Sequence, residues 1–174
     1  GYMLFKRFNR SISKTSPGVA SQNRPSIIFR LADFYLIYAE VANEVNPSDS
    51  RVLTYLNLVR ERAGLPKVEI LNPGIVGNKE LQRAAIQRER QIELATEGQR
   101  YFDVRRWMIA DKDGEGRQNG YAHGMNVRGT INDTEEFNRV VETEKIVFNR
   151  KMYLQPIPDH EMRKTQNLVQ NPGW

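Results

Sequence analysis

Apolar residues between positions 31 and 45 recur at helical spacing, with Leu31, Phe34 and Tyr35, Tyr38, Val41 and Ala42, and Val45 forming one stripe. That stripe predicts a helix over 31–45. Leu36 and Ile37 extend apolar character round the rest of the circumference, and a helix apolar on all sides needs cover on all sides. Asn46-Pro47-Ser48-Asp49 then breaks the pattern and offers capping oxygens to a second helix over 50–63, whose face is Val52, Tyr55, Leu56 and Val59. Gly64 stands where a left-handed cap belongs, and Pro66 prevents continuation. Two helices joined this tightly predict an antiparallel helical hairpin.

A turn-rich stretch, Asn72-Pro73-Gly74 to Gly77-Asn78, leads into a third helix expected over 79–97, with Gly98 at its end and a fourth, shorter helix over 101–109. Between Asp111 and Asp133 periodicity dissolves. Five of the twelve glycines fall there, which predicts an exposed, mobile connection. Val140-Val141 and Ile146-Val147-Phe148 read as short strands or extended segments. A short helix follows Tyr153-Leu154-Gln155-Pro156-Ile157-Pro158. At the other end, residues 1–13 alternate as a strand does, and Ser16-Pro17-Gly18 signals a turn. The fold class expected is mostly α, built of helical hairpins with short β or extended segments and long loops.

Charge changes this picture in one place. The net charge is +5, yet residues 1–30 carry six basic residues and no acid, while the remainder holds 20 basic and 21 acidic residues. The excess is local, which favours a basic hairpin facing an acidic partner segment over a nucleic-acid-binding arm. Cysteine is absent, which excludes disulfides, thiolate metal sites and cysteine nucleophiles. All seven serines precede residue 51 and none sits in a nucleophile elbow; no phosphate loop or dinucleotide fingerprint is present. His123 and His160 lack metal-ligand spacing, and His160 reads as a surface residue.

The densest charged motif runs from Arg88 to Trp107. Glu89, Glu93 and Glu97 are spaced by four and stand on one ridge of the expected third helix, where they repel one another unless guanidinium groups oppose them. Arg60, Arg62, Arg90, Arg100 and Arg106 are the available donors, and Asp103 joins the same set. Paired carboxylates are also the machinery of glycoside hydrolysis, but that chemistry needs an acid with a raised pKa, and a neighbouring arginine lowers it. The pattern therefore favours a structural lattice of arginines and carboxylates over catalysis.

This stretch resembles the signature of the SusD/RagB C-terminal domain, approximately R-x-E-R-x-x-E-L-x-x-E-G-x-R-x-x-D-x-x-R-W. Every fixed position of it from Glu89 to Trp107 is present, while the leading arginine position falls on Gln87, with Arg88 beside it. Three further blocks are similar to the family in order: Arg30-Leu31-Ala32-Asp33 with Tyr38-Ala39-Glu40; Val59-Arg60-Glu61-Arg62-Ala63-Gly64-Leu65-Pro66; and Tyr153 to Pro158 with Glu161 and the ending Asn167 to Trp174. Asp33 stands where glutamate is usual, and Thr96 where an aromatic or small apolar residue is common. The resemblance implies that residues 1–174 are the C-terminal segment of a longer protein, with a tetratricopeptide-like helical scaffold and a lipid-bearing cysteine before them. It also implies a cell-surface lipoprotein of the Bacteroidetes outer membrane that binds an oligosaccharide, or alternatively a peptide, and delivers it to a SusC-like TonB-dependent transporter. No catalysis, cofactor, metal or nucleic acid is expected. The competing class is a free-standing helical-repeat interaction module, which stacked 34-residue units would mark.

Two weaker signals remain. Asp111-Lys112-Asp113-Gly114-Glu115-Gly116 imitates the opening of a calcium loop, but Ala122 occupies the position where a bidentate glutamate belongs. Tyr121 and His123 are the local candidates for ligand contact, because an aromatic ring can stack on the apolar face of a sugar; the alternative is a tyrosine folded back on the domain. Trp107 reads as core.

Overall fold

A computed structural model describes Lys6 and residues 27–112, 120–125 and 139–174, with backbone alone over 120–125 and 139–144. The strand expected over residues 1–13 and the turn at 16–18 fall outside the described residues, apart from Lys6. Helices dominate, as the periodicity predicts. The chain divides into a helical unit, Pro25–Asp103, and a second unit that holds Val104–Trp174.

In the helical unit, α1 (Leu31–Val45), α2 (Arg51–Arg62) and α4 (Lys79–Glu93) pack on one another; a short α3 (Val68–Leu71) and a 3-10 turn (Pro73–Ile75) connect the last two. The hairpin between α1 and α2 forms where Pro47 and Asp49 predict it, and Asp49 accepts the Arg51 N–H at 2.9 Å. α2 ends in a paired backbone lock. The Leu65 N–H reaches the Arg60 carbonyl at 2.9 Å and the Gly64 N–H reaches Glu61 at 3.0 Å, with Gly64 at φ +76°. Glycine suits that left-handed position because it has no Cβ to clash with the following carbonyl oxygen.

The buried face of α1 differs from the expected stripe. Ala32, Leu36, Ala39 and Asn43 face the core, while Leu31, Phe34, Tyr38, Val41 and Val45 are exposed, Val45 at 82%. The reason is size. Ala32 and Ala39 let α2 and α4 approach closely, so Leu36, Val52, Leu56 and Ile86 interlock with essentially no exposure. Each contributes about 1.5–3 kcal/mol by leaving water. The bulkier stripe is left outside, where Tyr35 and Tyr38 lean on Tyr55 at 5.4 and 4.5 Å between ring centres.

Polar groups inside the unit have assigned work. Asn57 accepts the Val68 N–H at 3.0 Å and donates to the Glu69 carboxylate, which pins the start of α3. Asn43 donates to the Lys79 carbonyl and Gln82 to that of Pro47, tying the ends of α1 and α4 together.

α4 is shorter than expected. It stops at Glu93, and Thr96 (φ +68°) and Gly98 (φ +83°) turn the chain before α5 (Gln99–Arg106) begins. Glu97 therefore lies beyond the helix rather than on the same ridge as Glu89 and Glu93.

The second unit has a small core of Val104, Ile109, Ala110 and Phe148, with Trp107, Met152 and Tyr153 packed against it. Trp107 is half-buried rather than fully interior. β1 (Gly120–Met125) pairs antiparallel with β2 (Arg139–Ile146), its register shifting between Tyr121 and His123. The segment expected to be irregular between Asp111 and Asp133 thus holds a strand, which its three glycine- and histidine-containing steps give no alternation to announce. Residues 113–119 and 126–138 lie outside the described residues, and with them the expected mobility. A 3-10 turn (Arg150–Tyr153) and α6 (Asp159–Met162) complete the order of elements. Pro156 and Pro158 have no N–H of their own to pair. Side chains from the end of the chain serve this extended stretch: Gln170 bonds both the N–H and the carbonyl of Ile157, and Asn171 donates to the Gln155 carbonyl.

Candidate functional site

The charged motif folds into a lattice. Arg60, in the last turn of α2, donates to Glu89 on α4 at 2.8 Å. One turn further along α4, Glu93 receives Arg62 from α2 at 2.7 Å and Arg30 from the extended residue before α1. Arg30 also holds both oxygens of Glu97 and donates to the Glu93 main-chain carbonyl at 2.6 Å. That last bond satisfies one of the carbonyls a helix leaves unpaired at its end. Hydrogen bonding to Glu97 holds the Arg30 proton more tightly than an arginine ordinarily does, against the opposing effect of burial.

Deeper in the unit, Arg90 on α4 forms the best-buried part of the lattice. Its Nε and Nη2 reach the two oxygens of Asp103 on α5 at 2.9 and 3.2 Å, and its Nη1 reaches Asp33 on α1 at 2.8 Å. Arg90 is 3% exposed. One guanidinium thereby bridges three helices, using the planar fork that lysine lacks.

Of the residues singled out from sequence, the structure brings together Arg60, Arg62, Glu89, Arg90, Glu93, Glu97 and Asp103. Arg100 and Arg106 lie on α5, with the Arg106 guanidinium 4.7 Å from the centre of the Trp107 ring. Sequence reasoning missed Arg30 and Asp33 as members. Their signal was available: a basic residue in the extended step before α1, and an acid three positions on, inside the otherwise apolar first half of that helix.

The lattice's chemistry is that of a clamp. The side chains of Glu89, Glu93 and Glu97 are 6%, 10% and 4% exposed, and each accepts from a guanidinium. A carboxylate so held presents little surface to a substrate. Tyr121 and His123 lie on β1, opposite Lys145 and Val141, and their side chains fall outside the described residues. In the calcium-like loop, Asp111 is taken up by Tyr153, whose hydroxyl donates to its carboxylate at 2.6 Å and accepts its N–H at 3.1 Å. That bond lowers the Asp111 pKa; burial, with the same bond as the next cause, raises that of Tyr153. Residues 113–115 of that loop are outside the described residues. Among the described residues no group of three metal-ligating side chains converges, and no helix is long and apolar enough to cross a membrane. His160 is exposed beside Glu161.

Residues 1–174 match the SusD family. Two SusD-like proteins of Formosa agariphila, P25 and P2, are 44% identical over 106 residues and 31% identical over 153 residues; these alignments cover 61% and 85% of this chain. A crystal structure of a SusD-like protein from Bacteroides fragilis superposes with a TM-score of 0.67 at 31% identity, over 86% of this chain. The matched region is 19% and 26% of the two Formosa proteins and 26% of the Bacteroides one, so the chain spans about a quarter or less of these relatives.

Proposed function

The chain belongs to the SusD family, and from that premise we propose that it works in nutrient binding at the bacterial cell surface. In this reading it is the C-terminal segment of a lipid-anchored outer-membrane protein. That protein captures an oligosaccharide and passes it to a SusC-like TonB-dependent transporter. The observation that carries the reading is the family match along the whole chain, joined to a lattice that commits the motif's carboxylates to arginines rather than to chemistry. The protein binds and does not hydrolyse.

The exposed stripe of α1 supports the domain reading. Phe34, Ile37, Tyr38 and Val41 line a shallow apolar groove with Tyr35 and Tyr55. A face of this kind is unusual on a soluble monomer and drives association. A helical scaffold elsewhere in the same protein is its proposed cover.

The test is calorimetric titration of the full chain with a panel of oligosaccharides and peptides, alongside a reducing-sugar assay. Saturable sugar binding without release of reducing ends is expected. Binding of peptides alone would move the reading to a peptide carrier, and turnover abolished by Glu89→Gln would make the protein an enzyme. Co-purification of a TonB-dependent transporter from outer membranes checks the partner.

A further inference from the structure

Two buried amides bridge the place where the end of α1 packs on the start of α4. Asn43 lies in the last turn of α1 and Gln82 in the first turn of α4, and each is 1% exposed. The Asn43 Nδ2 donates to the Lys79 carbonyl at 3.0 Å, and the Gln82 Nε2 donates to the Pro47 carbonyl at 2.8 Å. These bonds run in opposite directions between the same two short stretches of chain, 43–47 and 79–82. Lys79 and Gln82 are three residues apart, so both bonds are anchored on one side of α4.

The bonds also fix which way each amide points. A main-chain carbonyl only accepts, so turning either amide over would set oxygen against oxygen. Asn43 Oδ1 and Gln82 Oε1 are therefore held on the sides away from those carbonyls. Both oxygens are sealed from solvent, and neither accepts a hydrogen bond from the described residues. An acceptor buried in this way gives up its hydration and regains nothing, so the group's full desolvation acts against the fold. Two such acceptors at one helix contact favour a donor that serves both. The contact also selects the donor's charge. α4 turns the positive end of its dipole toward this place, which disfavours a sodium or ammonium ion. Water is neutral and carries two O–H donors, and buried waters characteristically bond to otherwise unpaired polar groups.

We propose that the contact between α1 and α4 is a binding site for a single internal water molecule, whose two O–H groups donate to Asn43 Oδ1 and Gln82 Oε1. The water turns two separate amides into one link: Asn43 to Lys79, Gln82 to Pro47, and oxygen to oxygen between them. It ties the helix ends together from the inside. On the exposed side, Lys79 donates to the Glu44 carbonyl at 2.9 Å and Arg83 to the Glu44 carboxylate at 2.7 Å. A water bridge is nearly as favourable as a direct bond, which gives both core positions a reason to be polar rather than leucine.

The full chain is tested by oxygen-17 relaxation dispersion, which counts waters held for longer than the protein tumbles, and by water-to-amide Overhauser spectroscopy. In the unaltered protein, cross-peaks from a held water to the side-chain amides of both Asn43 and Gln82 are expected. Asn43→Leu and Gln82→Met are each expected to lose one held water per molecule, and the double variant also one rather than two. In urea unfolding the double variant's midpoint should shift by less than the sum of the two single shifts, because either substitution alone unseats the shared water. An unaltered protein without cross-peaks at these amides overturns the site, whether or not the variants fold. Loss of two waters in the double variant gives each oxygen its own water and overturns the shared bridge. A thermal midpoint that rises with sodium chloride but not with choline chloride makes the occupant a cation and overturns water.

Discussion

Replacing Arg90 with methionine tests whether the lattice holds the helical unit together or merely decorates it. The side chain makes three hydrogen bonds of 2.8–3.2 Å to Asp33 and Asp103, and all three residues are less than 10% exposed. Methionine fills much of the same space without a donor, so it removes the guanidinium from Asp33 and both of its bonds from Asp103. Breaking a buried ion pair from one side costs about 3–5 kcal/mol, because the remaining charge stays out of water. Against a typical domain stability of about 5–15 kcal/mol, that is about a fifth of the whole or more. Arg90→Lys restores the charge but cannot span two carboxylates with a planar fork, and is expected to recover about half of the loss. Arg62→Met is the internal control: Arg62 is 62% exposed and its partner Glu93 is also held by Arg30, so about 1 kcal/mol or less is expected. Urea unfolding monitored by circular dichroism measures all three, with unchanged slopes required for the comparison. An Arg90→Met variant that loses no more than Arg62→Met would refute the reasoning.

Two other contacts give outcomes of their own. Glu44 is held by Arg83 first and also by Lys79, which lowers its pKa from 4.5 to about 2. Its folded-state pKa is depressed, so its contribution is complete above about pH 4.5 and is lost as the pH falls toward 2; Glu44→Gln should flatten the fall in thermal midpoint across that window, modestly, because the carboxylate is partly exposed. Gly64→Ala is expected to cost about 1 kcal/mol in urea unfolding. Since no heavy atom lies within 4 Å of the added Cβ, that cost comes from the left-handed backbone alone, and Gly64→Asn should lose less.

The helices were legible because their signals are local. Pro47, Gly64 and Pro66 mark ends, and Arg88 to Trp107 carries its pattern in one run of chain. The working face of α1 was not. A helix apolar round its circumference has no polar side to orient it, and the decision fell to Ala32 and Ala39, small residues whose value appears only when two other helices press against them. The partner of Glu97 was hidden for a related reason. Spacing by four places Glu97 on a ridge with Glu93, but the chain leaves the helix between them, and the residue that meets both comes from position 30. β1 was obscured by Gly120, His123 and Gly124, which break the alternation a strand usually shows.

Arg30 and Glu97 are 67 residues apart in sequence and bonded side chain to side chain. The residue before α1 and the turn after α4 therefore meet at one point. A stretch tied at its own neck behaves as a cassette, its ends at positions 30 and 97 held together however long the chain on either side. Such a cassette can be spliced into a larger chain or moved within it without stretching any helix to span a new distance. It also sets an order of assembly. The latch spans the longest loop in the bundle and has the greatest closure entropy to overcome, so it engages after the hairpin of α1 and α2 has formed.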